Sequence, residues 1–447
     1  MKSNRAWAPL VGLLAAIVFA SAGPTAGATP SPTQCAPAAG FPAAATPVAY
    51  WSTEARCAIV PPSAGPENFG NKFPGEAAVY MGIVHVAIYD AAVAVDGRYR
   101  PFLPTPRAPA HTSPAAAIAA ATHDTLIGLQ PALGLTASQQ AILDSDYAAY
   151  LAAIPNGTAK TNGLAVGQKI AAAVLAWRAN DGRDNNPTVA DLDPPAPRPG
   201  VWQPDPTRPV LGLRLPGIRP LALMSPSQFR PDGPPALTSH LYAQDVNQVE
   251  QLGAIDSSIR TPEETEQALF WTDHDLRVWN DGLLRLAAHR RLDLVQTARM
   301  LAMAHLAGGD AMIACFDAKY HYWFWRPYQA IPAADTDGNP NTTADPTWQP
   351  LATTPNFPEY PSAHACHSTA VVTALDAFFG TDNVPMTLDS RVTHTTRRYN
   401  RLHDIVNDVD WARVLIGFHF RNSDLQGSVL GQNVGLYLAN HYFQPIR

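Results

Sequence analysis

Apolar residues recur at spacings of three and four along most of the chain, and this pattern predicts a mainly α-helical protein. The stretch from Gly75 to Val95 shows the pattern most clearly and predicts a buried helix. Alternation with a period of two, which marks half-buried strands, is nearly absent. Three alanine-rich helices are predicted at about 114–130, 137–153 and 164–180, and the last ends at the turn signal Asn180-Asp181-Gly182.

A proline-rich segment interrupts the helical pattern near the middle of the chain. Residues 194–235 hold 13 of the 43 prolines. Because proline removes a backbone donor and ends helices, we expect an ordered but irregular crossing segment. Its apolar side chains indicate that it packs on the surface of the fold; they are Trp202, Leu211, Leu213, Leu215 and Phe229.

Helical spacing resumes at Thr261, which suits an N-cap, with Pro262 at the first helical position. Further helices are predicted at about 275–286, 290–307 and 310–326. These elements predict a leader at 1–28, a loose N-terminal extension at 29–74 and one large helical domain at 75–447. The domain divides into N-terminal helices at 75–193, the crossing segment at 194–240 and a C-terminal bundle at 241–447.

Composition excludes two classes of protein. Of the 447 residues, 46% are hydrophobic, which excludes a wholly disordered chain. The formal net charge is −6, with scattered arginines, whereas a nucleic-acid binder normally shows a basic face. We therefore expect no nucleic-acid partner.

The first 28 residues resemble a secretory signal peptide. Lys2 and Arg5 precede an apolar run, and Ala20-Ser21-Ala22 and Ala26-Gly27-Ala28 both match small-residue cleavage sites. The alternative is an uncleaved membrane anchor. Removal of the leader takes the net charge to −8, and no later apolar run reaches the length of a spanning helix. We expect a secreted protein with no membrane span in its mature chain.

Four cysteines follow the leader, and in an oxidising compartment an even number suggests two disulfides. Three pairings are possible. Proximity in sequence favours Cys35–Cys57, which leaves Cys315–Cys366. The second bridge would join the first and second of the motifs described next.

Lys319 and Arg326 define the first motif, Lys319-Tyr-His-Tyr-Trp-Phe-Trp-Arg326-Pro327. Seven positions apart, they are predicted to lie on one helix face, two turns from each other. Pro327 is expected to end the helix, since the residue before a proline disfavours helical geometry. The alternative is a helix edge with two solvated cations, but the aromatic residues between them favour a packed environment.

The second motif is Phe357-Pro-Glu-Tyr-Pro-Ser362-Ala363-His364, followed by an apolar helix that runs to Gly380. Ser362 stands where an N-cap belongs. A helix N-terminus offers free N–H groups and the positive end of the dipole to an anion. His364, on the first turn, is placed to serve the same anion as an acid or base. The alternative is a plain serine cap beside a surface histidine.

The third motif is Arg413-Val-Leu-Ile-Gly417-Phe-His419. In an unbroken helix Arg413 and His419 would point about 120° apart. For both to face one ligand, the backbone must break near Gly417. The alternative is a core histidine beside a salt-bridged arginine.

In this order, the three motifs resemble the signature shared by the type-2 phosphatidic-acid-phosphatase-like acid phosphatases and the vanadium-dependent haloperoxidases. The chain departs from it at Ala363, where the family usually has glycine, and at Ala412, where it usually has serine. Upstream, HVAIYDAAVAVDGRYRPF and LMSPSQFRPDGPPALTS resemble secreted bacterial haloperoxidase-like members. The resemblance covers most of the mature chain and implies a helical bundle of the acid phosphatase/vanadium haloperoxidase type.

The resemblance also implies an oxyanion site and the role of each residue in it. His419 matches the axial histidine, which is the phosphorylated nucleophile in the phosphatases and the vanadium ligand in the peroxidases. His364 matches the general acid–base, and Lys319 the cation that polarises bound peroxide. The residues that match the oxyanion binders are Lys319, Arg326, Ser362, Ala363 and Arg413. Ala363 contributes its backbone N–H, so alanine is acceptable there if φ stays negative.

The expected function is oxidation of halide with hydrogen peroxide at histidine-bound vanadate. The runner-up is a soluble acid phosphatase that hydrolyses phosphomonoesters through a phospho-His419 intermediate, with phosphate competing for the vanadate site. A non-catalytic family member is the third class, and the sequence leaves a homo-oligomer open. Three acidic residues near the motifs are candidates to orient the cations or His419, and the sequence assigns none of them: Asp317, Glu359 and Asp424.

Overall fold

The computed structural model describes residues 46–60 and 72–446. Six helices precede the crossing segment: α1 Thr46–Ile59, α2 Pro74–Asp96, α3 Pro114–Gly128, α4 Gln130–Leu133, α5 Ala137–Ala152 and α6 Thr158–Trp177. Eight follow it: α7 His240–Leu252, α8 Pro262–Phe270, α9 Asp275–His289, α10 Leu294–Tyr322, α11 Pro327–Ala330, α12 Ala363–Phe379, α13 Leu402–Leu415 and α14 Arg421–His441. The mainly α-helical fold class is therefore confirmed.

Helix α10 lies at the centre and packs against α2, α12 and α14. One continuous hydrophobic cluster joins helices from both sides of the crossing segment. The N-terminal half therefore shares its core with the half that carries the three motifs. The predicted leader at 1–28 lies outside the described residues.

Helix α1 corrects the predicted loose extension at 29–74, which is wrong for residues 46–59. Val48, Trp51, Ala55 and Ile59 recur at helical spacing and are fully buried. The Pro/Ala/Thr-rich composition around them hid this short apolar stripe. These residues form a helix because the stripe packs into the core, which the composition of the segment does not indicate.

The proline-rich crossing segment is irregular and packed, as predicted. Trp202 and Leu215 are buried against the helices. Its backbone also has a buried partner, because the Asp310 carboxylate accepts from the backbone N–H groups of Ala222 at 2.7 Å and Leu223 at 2.9 Å. A carboxylate on the central helix thus replaces the hydrogen bonds that the segment cannot make as helix or sheet.

Helix α10 corrects the prediction of two helices at 290–307 and 310–326, because it is a single helix. The glycine pair at its centre does not break it, since Gly308 lies against the His367 ring and Gly309 against the backbone of α2. The helix ends at Tyr322, where Trp323 adopts a left-handed conformation with φ of 51°.

That ending also corrects the prediction that Lys319 and Arg326 share one helix face and that Pro327 ends the helix. Arg326 lies beyond the end of α10, and Pro327 begins the short helix α11. Proline fits the first helical position as well as it ends a helix, because the N–H that it lacks is unbonded there.

The sequence analysis did not predict a β-hairpin that lies between α12 and α13. Strands β1, Met386–Ser390, and β2, Thr395–Tyr399, pair antiparallel with Met386 opposite Tyr399. Each strand has five residues, too few for alternation to stand out from a polar loop. The hairpin packs on α9.

One helix in the described part of the chain, α2, is long and apolar enough to cross a membrane, although 94% of that window is buried inside the protein. This corrects the expectation that no apolar run after the leader reaches the length of a spanning helix. The burial identifies α2 as a core helix whose apolar surface is covered by other helices.

A glycine stripe on α14 brings its backbone close to α12. Gly427, Gly431 and Gly435 face that helix at four-residue spacing, and a Cβ atom at Gly431 would overlap the carbonyl oxygen of Cys366. The same approach places the start of α12 against α14, since a Cβ at Gly427 would meet the carbonyl oxygen of Ser362 at 2.7 Å.

Gly431→Ala is expected to lower the free energy of unfolding by about 1–3 kcal/mol, because the added methyl forces two packed backbones apart. Urea denaturation followed by circular dichroism measures this change. Gly217→Ala is the control, because a Cβ there meets nothing within 4 Å. Equal stability of the two variants would show that the stripe does not hold α12 and α14 together.

Candidate active site

The segment 357–362, which leads into α12, is the meeting point of the three motifs. Its backbone carbonyls accept hydrogen bonds from two of the predicted cations, and its last residue is the N-cap of α12. The aromatic ring of Phe357 also lies under both cations, 5.1 Å from Lys319 Nζ and 4.6 Å from the Arg326 guanidinium. The segment therefore holds the first two motifs together.

Lys319 lies on the last turn of α10 and is fully buried. Its Nζ donates to the carbonyl oxygens of Pro358 at 3.1 Å and Glu359 at 2.8 Å. An ammonium has three donors, so one remains for a ligand. Burial, with a further contribution from Arg326, lowers the pKa of Lys319 to about 8. The cation is thus retained at neutral pH but is lost in mild alkali.

Arg326 is fully buried beside it. Nε donates to the Phe357 carbonyl at 2.9 Å, and Nη1 donates to the Phe418 carbonyl at 2.9 Å and lies 3.0 Å from His419 Nε2. Burial lowers the pKa of Arg326 to about 10, so it stays charged at neutral pH. Arg326 thus links the first motif to the third.

The backbone break predicted near Gly417 is confirmed. Helix α13 ends at Leu415, Gly417 takes a left-handed φ of 80°, and the N–H groups of Phe418 and His419 turn back toward the Arg413 carbonyl at 3.2 and 3.3 Å. A side chain at Gly417 would also meet the backbone of α7's C-cap residue. The turn brings His419 to the same pocket as Arg413.

Arg413 lies on the last turn of α13 with its guanidinium buried. Nη1 donates to the Trp271 carbonyl at 3.0 Å. Burial lowers the pKa of Arg413 to about 10, while Asp424 and Asp275 counteract it. The third predicted cation is therefore charged at neutral pH and close enough to Arg326 to act on its pKa.

Ser362 is the N-cap of α12, as predicted, but its side chain makes no capping hydrogen bond. Ala363 begins the helix with ordinary right-handed backbone, so the condition for replacing glycine by alanine is met. The Ser362 N–H donates to the Ser423 carbonyl at 3.0 Å, which fixes the entry to α12 against α14. The hydroxyl and the first N–H groups of α12 are left for a ligand.

His364 lies on the first turn of α12, with 19% of its side chain exposed. Its Nε2 is 3.1 Å from Oδ1 of Asp275, at the start of α9. Burial and then Arg413 lower the pKa of His364, whereas Asp275 raises it. The pKa of the buried Asp275 is lowered to about 2 by the histidines around it, so it is a carboxylate. Asp275 was missed because it lies almost 90 residues from the second motif, with no pattern to connect them.

His419 is buried, and burial followed by Arg326 and Lys319 lowers its pKa well below the usual value. Its Nδ1 lies 2.9 Å from Oε1 of Glu359. Burial raises the pKa of Glu359 to about 7, although Ser423, Arg326 and Lys319 oppose the shift. A neutral imidazole therefore stands between a buried carboxyl and a buried guanidinium.

The other two acidic candidates, Asp317 and Asp424, differ in their distance from the site. Asp317 pairs with Arg230 at 2.8 and 2.9 Å and does not contact the site cations. Asp424 lies beside Ser362 and Arg413, and burial together with Asp410 raises its pKa well above the usual range. Asp424 therefore adds little negative charge to the pocket at neutral pH.

Two buried guanidinium atoms in this pocket, Nη2 of Arg326 and Nε of Arg413, have no hydrogen-bond partner, and the Ser362 hydroxyl lies beside Asp424. Buried donors usually find an acceptor, so these two can accommodate acceptor oxygens of a ligand. A tetrahedral oxyanion offers several charged acceptor oxygens to such donors. The residues present thus fit vanadate or phosphate.

The cysteine pair lies beside the pocket. Cys315 and Cys366 are buried and free, and their Sγ atoms are 2.6 Å apart. Cys315 precedes Lys319 by one turn, and Cys366 lies on the first turns of α12. The Cys315–Cys366 disulfide stays a prediction, as does Cys35–Cys57, because Cys35 lies outside the described residues.

Phosphate affinity is expected to fall by about tenfold per pH unit above 8, because Lys319 loses its proton there and with it one positive charge. Below its pKa, Lys319 is charged and the affinity is retained. Calorimetric titration with inorganic phosphate between pH 7.5 and 9.5 measures the profile. Phosphate is already a dianion over most of this range, so the change reports the protein.

Lys319→Arg is expected to remove this alkaline limb, since arginine keeps its charge, whereas the exposed Lys169→Arg should retain it. An alkaline limb of equal size in Lys319→Arg would assign the titration to another group.

Comparison with known proteins agrees with this geometry. The family model of the VCPO second helical-bundle domain matches residues 299–447, which contain all three motifs. A vanadium chloroperoxidase from Curvularia inaequalis is 29% identical over 144 residues, covering 26% of this chain and 23% of that enzyme. The sequence match thus spans less than a quarter of the relative's length.

Solved structures share the fold over a larger part of the chain. A bacterial vanadium-dependent iodoperoxidase superposes with a TM-score of 0.69 at 21% identity, covering 90% of this chain and 98% of its own. A bacterial vanadium-dependent chloroperoxidase in its holo form gives 0.65 at 18% identity, covering 85% and 94%. Residues 299–447 are therefore similar in sequence to the VCPO second helical-bundle domain, and the chain shares the helical-bundle fold of the solved vanadium haloperoxidases.

Proposed function

We propose that the protein is a vanadate-dependent haloperoxidase that oxidises halide with hydrogen peroxide. The observation that carries the proposal is the convergence of Lys319, Arg326 and Arg413, all buried, around His419. Buried cations are costly unless they are paired, and these three have too few ionised partners, because burial and Asp410 hold the pKa of Asp424 well above its usual range. The pocket therefore carries excess positive charge that an oxyanion offsets.

Each donor has a place in this proposal. Arg326 and Arg413 would hold oxyanion oxygens through Nη2 and Nε, and Ser362 would donate through Oγ. The Ala363 N–H, at the first turn of α12, would add a backbone donor. His419 would provide the ligand nitrogen, Nε2. When bound, vanadate supplies the Lewis-acid centre at which hydrogen peroxide is activated toward halide.

His364 is assigned the proton transfer. It is the imidazole of the pocket with access to solvent, and Asp275 holds its Nε2 from the side of α9. The lowered pKa keeps His364 neutral at pH 7, so it can take a proton from incoming peroxide and pass it on. Lys319 would direct its remaining N–H at the oxygen that reacts.

Phosphomonoester hydrolysis is the second candidate, and one observation favours it. His419 has the Glu359 carboxyl at Nδ1, which leaves the lone pair on Nε2, as a phosphoryl acceptor requires. His364 would then protonate the leaving alcohol. In either case phosphate and vanadate should compete for the pocket.

We also propose that the protein is exported and that its two disulfides form outside the cytoplasm. The basic and apolar leader at 1–28 and the even number of cysteines support this.

Purified protein incubated with vanadate, peroxide and bromide is expected to brominate a phenolic dye, and inorganic phosphate is expected to inhibit the reaction competitively. His419→Ala should lose at least about 100-fold in rate, because the oxyanion loses its ligand nitrogen. His441→Ala, on the exposed end of α14, is the matched control and should keep the wild-type rate. Hydrolysis of a generic phosphomonoester is measured in parallel.

Two outcomes count against the haloperoxidase. Vanadate-inhibited release of phosphate without bromination would favour the phosphatase. Absence of both reactions in protein that still binds vanadate would leave a non-catalytic family member.

A further inference from the structure

Glu359 is a buried carboxyl of the second motif to which the resemblance assigns no role. Its side chain is fully enclosed, and both oxygens have partners. Oε1 lies 2.9 Å from His419 Nδ1 and accepts from the Phe420 N–H at 3.1 Å, while Oε2 accepts from the Ser423 hydroxyl. The carboxyl group of Glu359 therefore contacts three groups from the turn that leads into α14 and from its first turn.

The contacts of Nδ1 determine where the proton of the His419 ring lies. Nη1 of Arg326 is 3.0 Å from Nε2 and 3.5 Å from Nδ1, so it faces both ring nitrogens and does not distinguish them. Oε1 of Glu359 lies 2.9 Å from Nδ1 and already accepts from the Phe420 N–H, so it acts as an acceptor. The proton of the neutral ring is therefore on Nδ1, and Nε2 carries the lone pair.

We propose that Glu359 is a positioning residue that fixes His419 in the Nδ1–H tautomer and so directs the Nε2 lone pair into the oxyanion pocket. The proposal rests on the proposed function only for the identity of the ligand, because either vanadate or phosphate needs that lone pair. A carboxylate at the far nitrogen also makes the near nitrogen a stronger donor to its ligand.

The backbone of Glu359 supports this role. Its carbonyl oxygen accepts from Lys319 Nζ at 2.8 Å, and its N–H donates to the Phe324 carbonyl at 2.9 Å. The same residue therefore sets the position of one oxyanion-binding cation and the orientation of the ligand imidazole. Asp424 does not compete for this role, since it interacts with Ser362 and Arg413 and has no hydrogen bond to His419.

Two substitutions separate the charge from the hydrogen bond. Glu359→Gln keeps an oxygen that accepts from Nδ1–H but removes the charge. It is expected to keep the tautomer and to weaken vanadate binding 10–100-fold, the usual effect of losing a partner behind a ligand histidine. Glu359→Ala removes both, and we expect an equal or larger loss together with a mixed tautomer.

The first readout is independent of any reaction. Long-range ¹H–¹⁵N spectra of histidine-labelled protein at pH 7 report the protonation of each ring nitrogen, with His419→Ala providing the assignment. Wild-type His419 is expected to show protonated Nδ1 and unprotonated Nε2, and Glu359→Ala to move both signals toward averaged values. Vanadate affinity, measured by calorimetry, is the second readout.

Glu54→Gln is the matched control, since Glu54 is a buried glutamate on α1 whose pKa burial raises to about 8. It should change neither the His419 signals nor the affinity for vanadate. Protonated Nε2 in the wild type, or a wild-type tautomer and vanadate affinity within twofold of wild type in Glu359→Ala, would overturn the proposal. If the wild type binds neither vanadate nor phosphate, the proposed function fails, and the ¹⁵N readout alone decides the role of Glu359.

Discussion

The arrangement of the three motifs depends on keeping three cations, Lys319, Arg326 and Arg413, buried next to the imidazole of His419. Burial of an unpaired charge is among the largest costs a fold can carry. The protein reduces that cost with neutral acceptors, because the carbonyls of residues 357–359 and of Phe418 hold Lys319 and Arg326. Carbonyl oxygens stabilise the cations without neutralising them, so the positive charge is preserved for a ligand.

The rest of the fold serves this arrangement. The glycine stripe of α14 brings α12 close enough for Ser362 to meet the start of α14. The turn at Gly417 carries His419 back to Arg413, and Asp310 anchors the crossing segment against α10. The pocket is thus assembled from the ends of several helices rather than from one element. Its geometry should therefore be sensitive to changes in helix packing some distance away.

The sequence predicted the helical fold and the residues of the three motifs that gather around His419, because apolar periodicity and motif spacing are local properties. It located Ser362 at the start of α12 and required the break at Gly417, and both are confirmed. It placed Lys319 and Arg326 on one helix, which is wrong, because the end of α10 is set by Trp323 in a left-handed conformation. Asp275 and the contacts of Glu359 could not be predicted, since only tertiary packing brings them to the histidines.

The central claim is that His419 Nε2 and the unpartnered donors around it form one oxyanion site. A crystal structure of protein grown with vanadate tests it most directly. We predict an oxyanion bonded to Nε2 of His419 and hydrogen-bonded to Arg326, Arg413 and Ser362. The Glu359 carboxyl should still accept a hydrogen bond from Nδ1. An anion bound elsewhere, or an empty pocket at saturating vanadate, would contradict it.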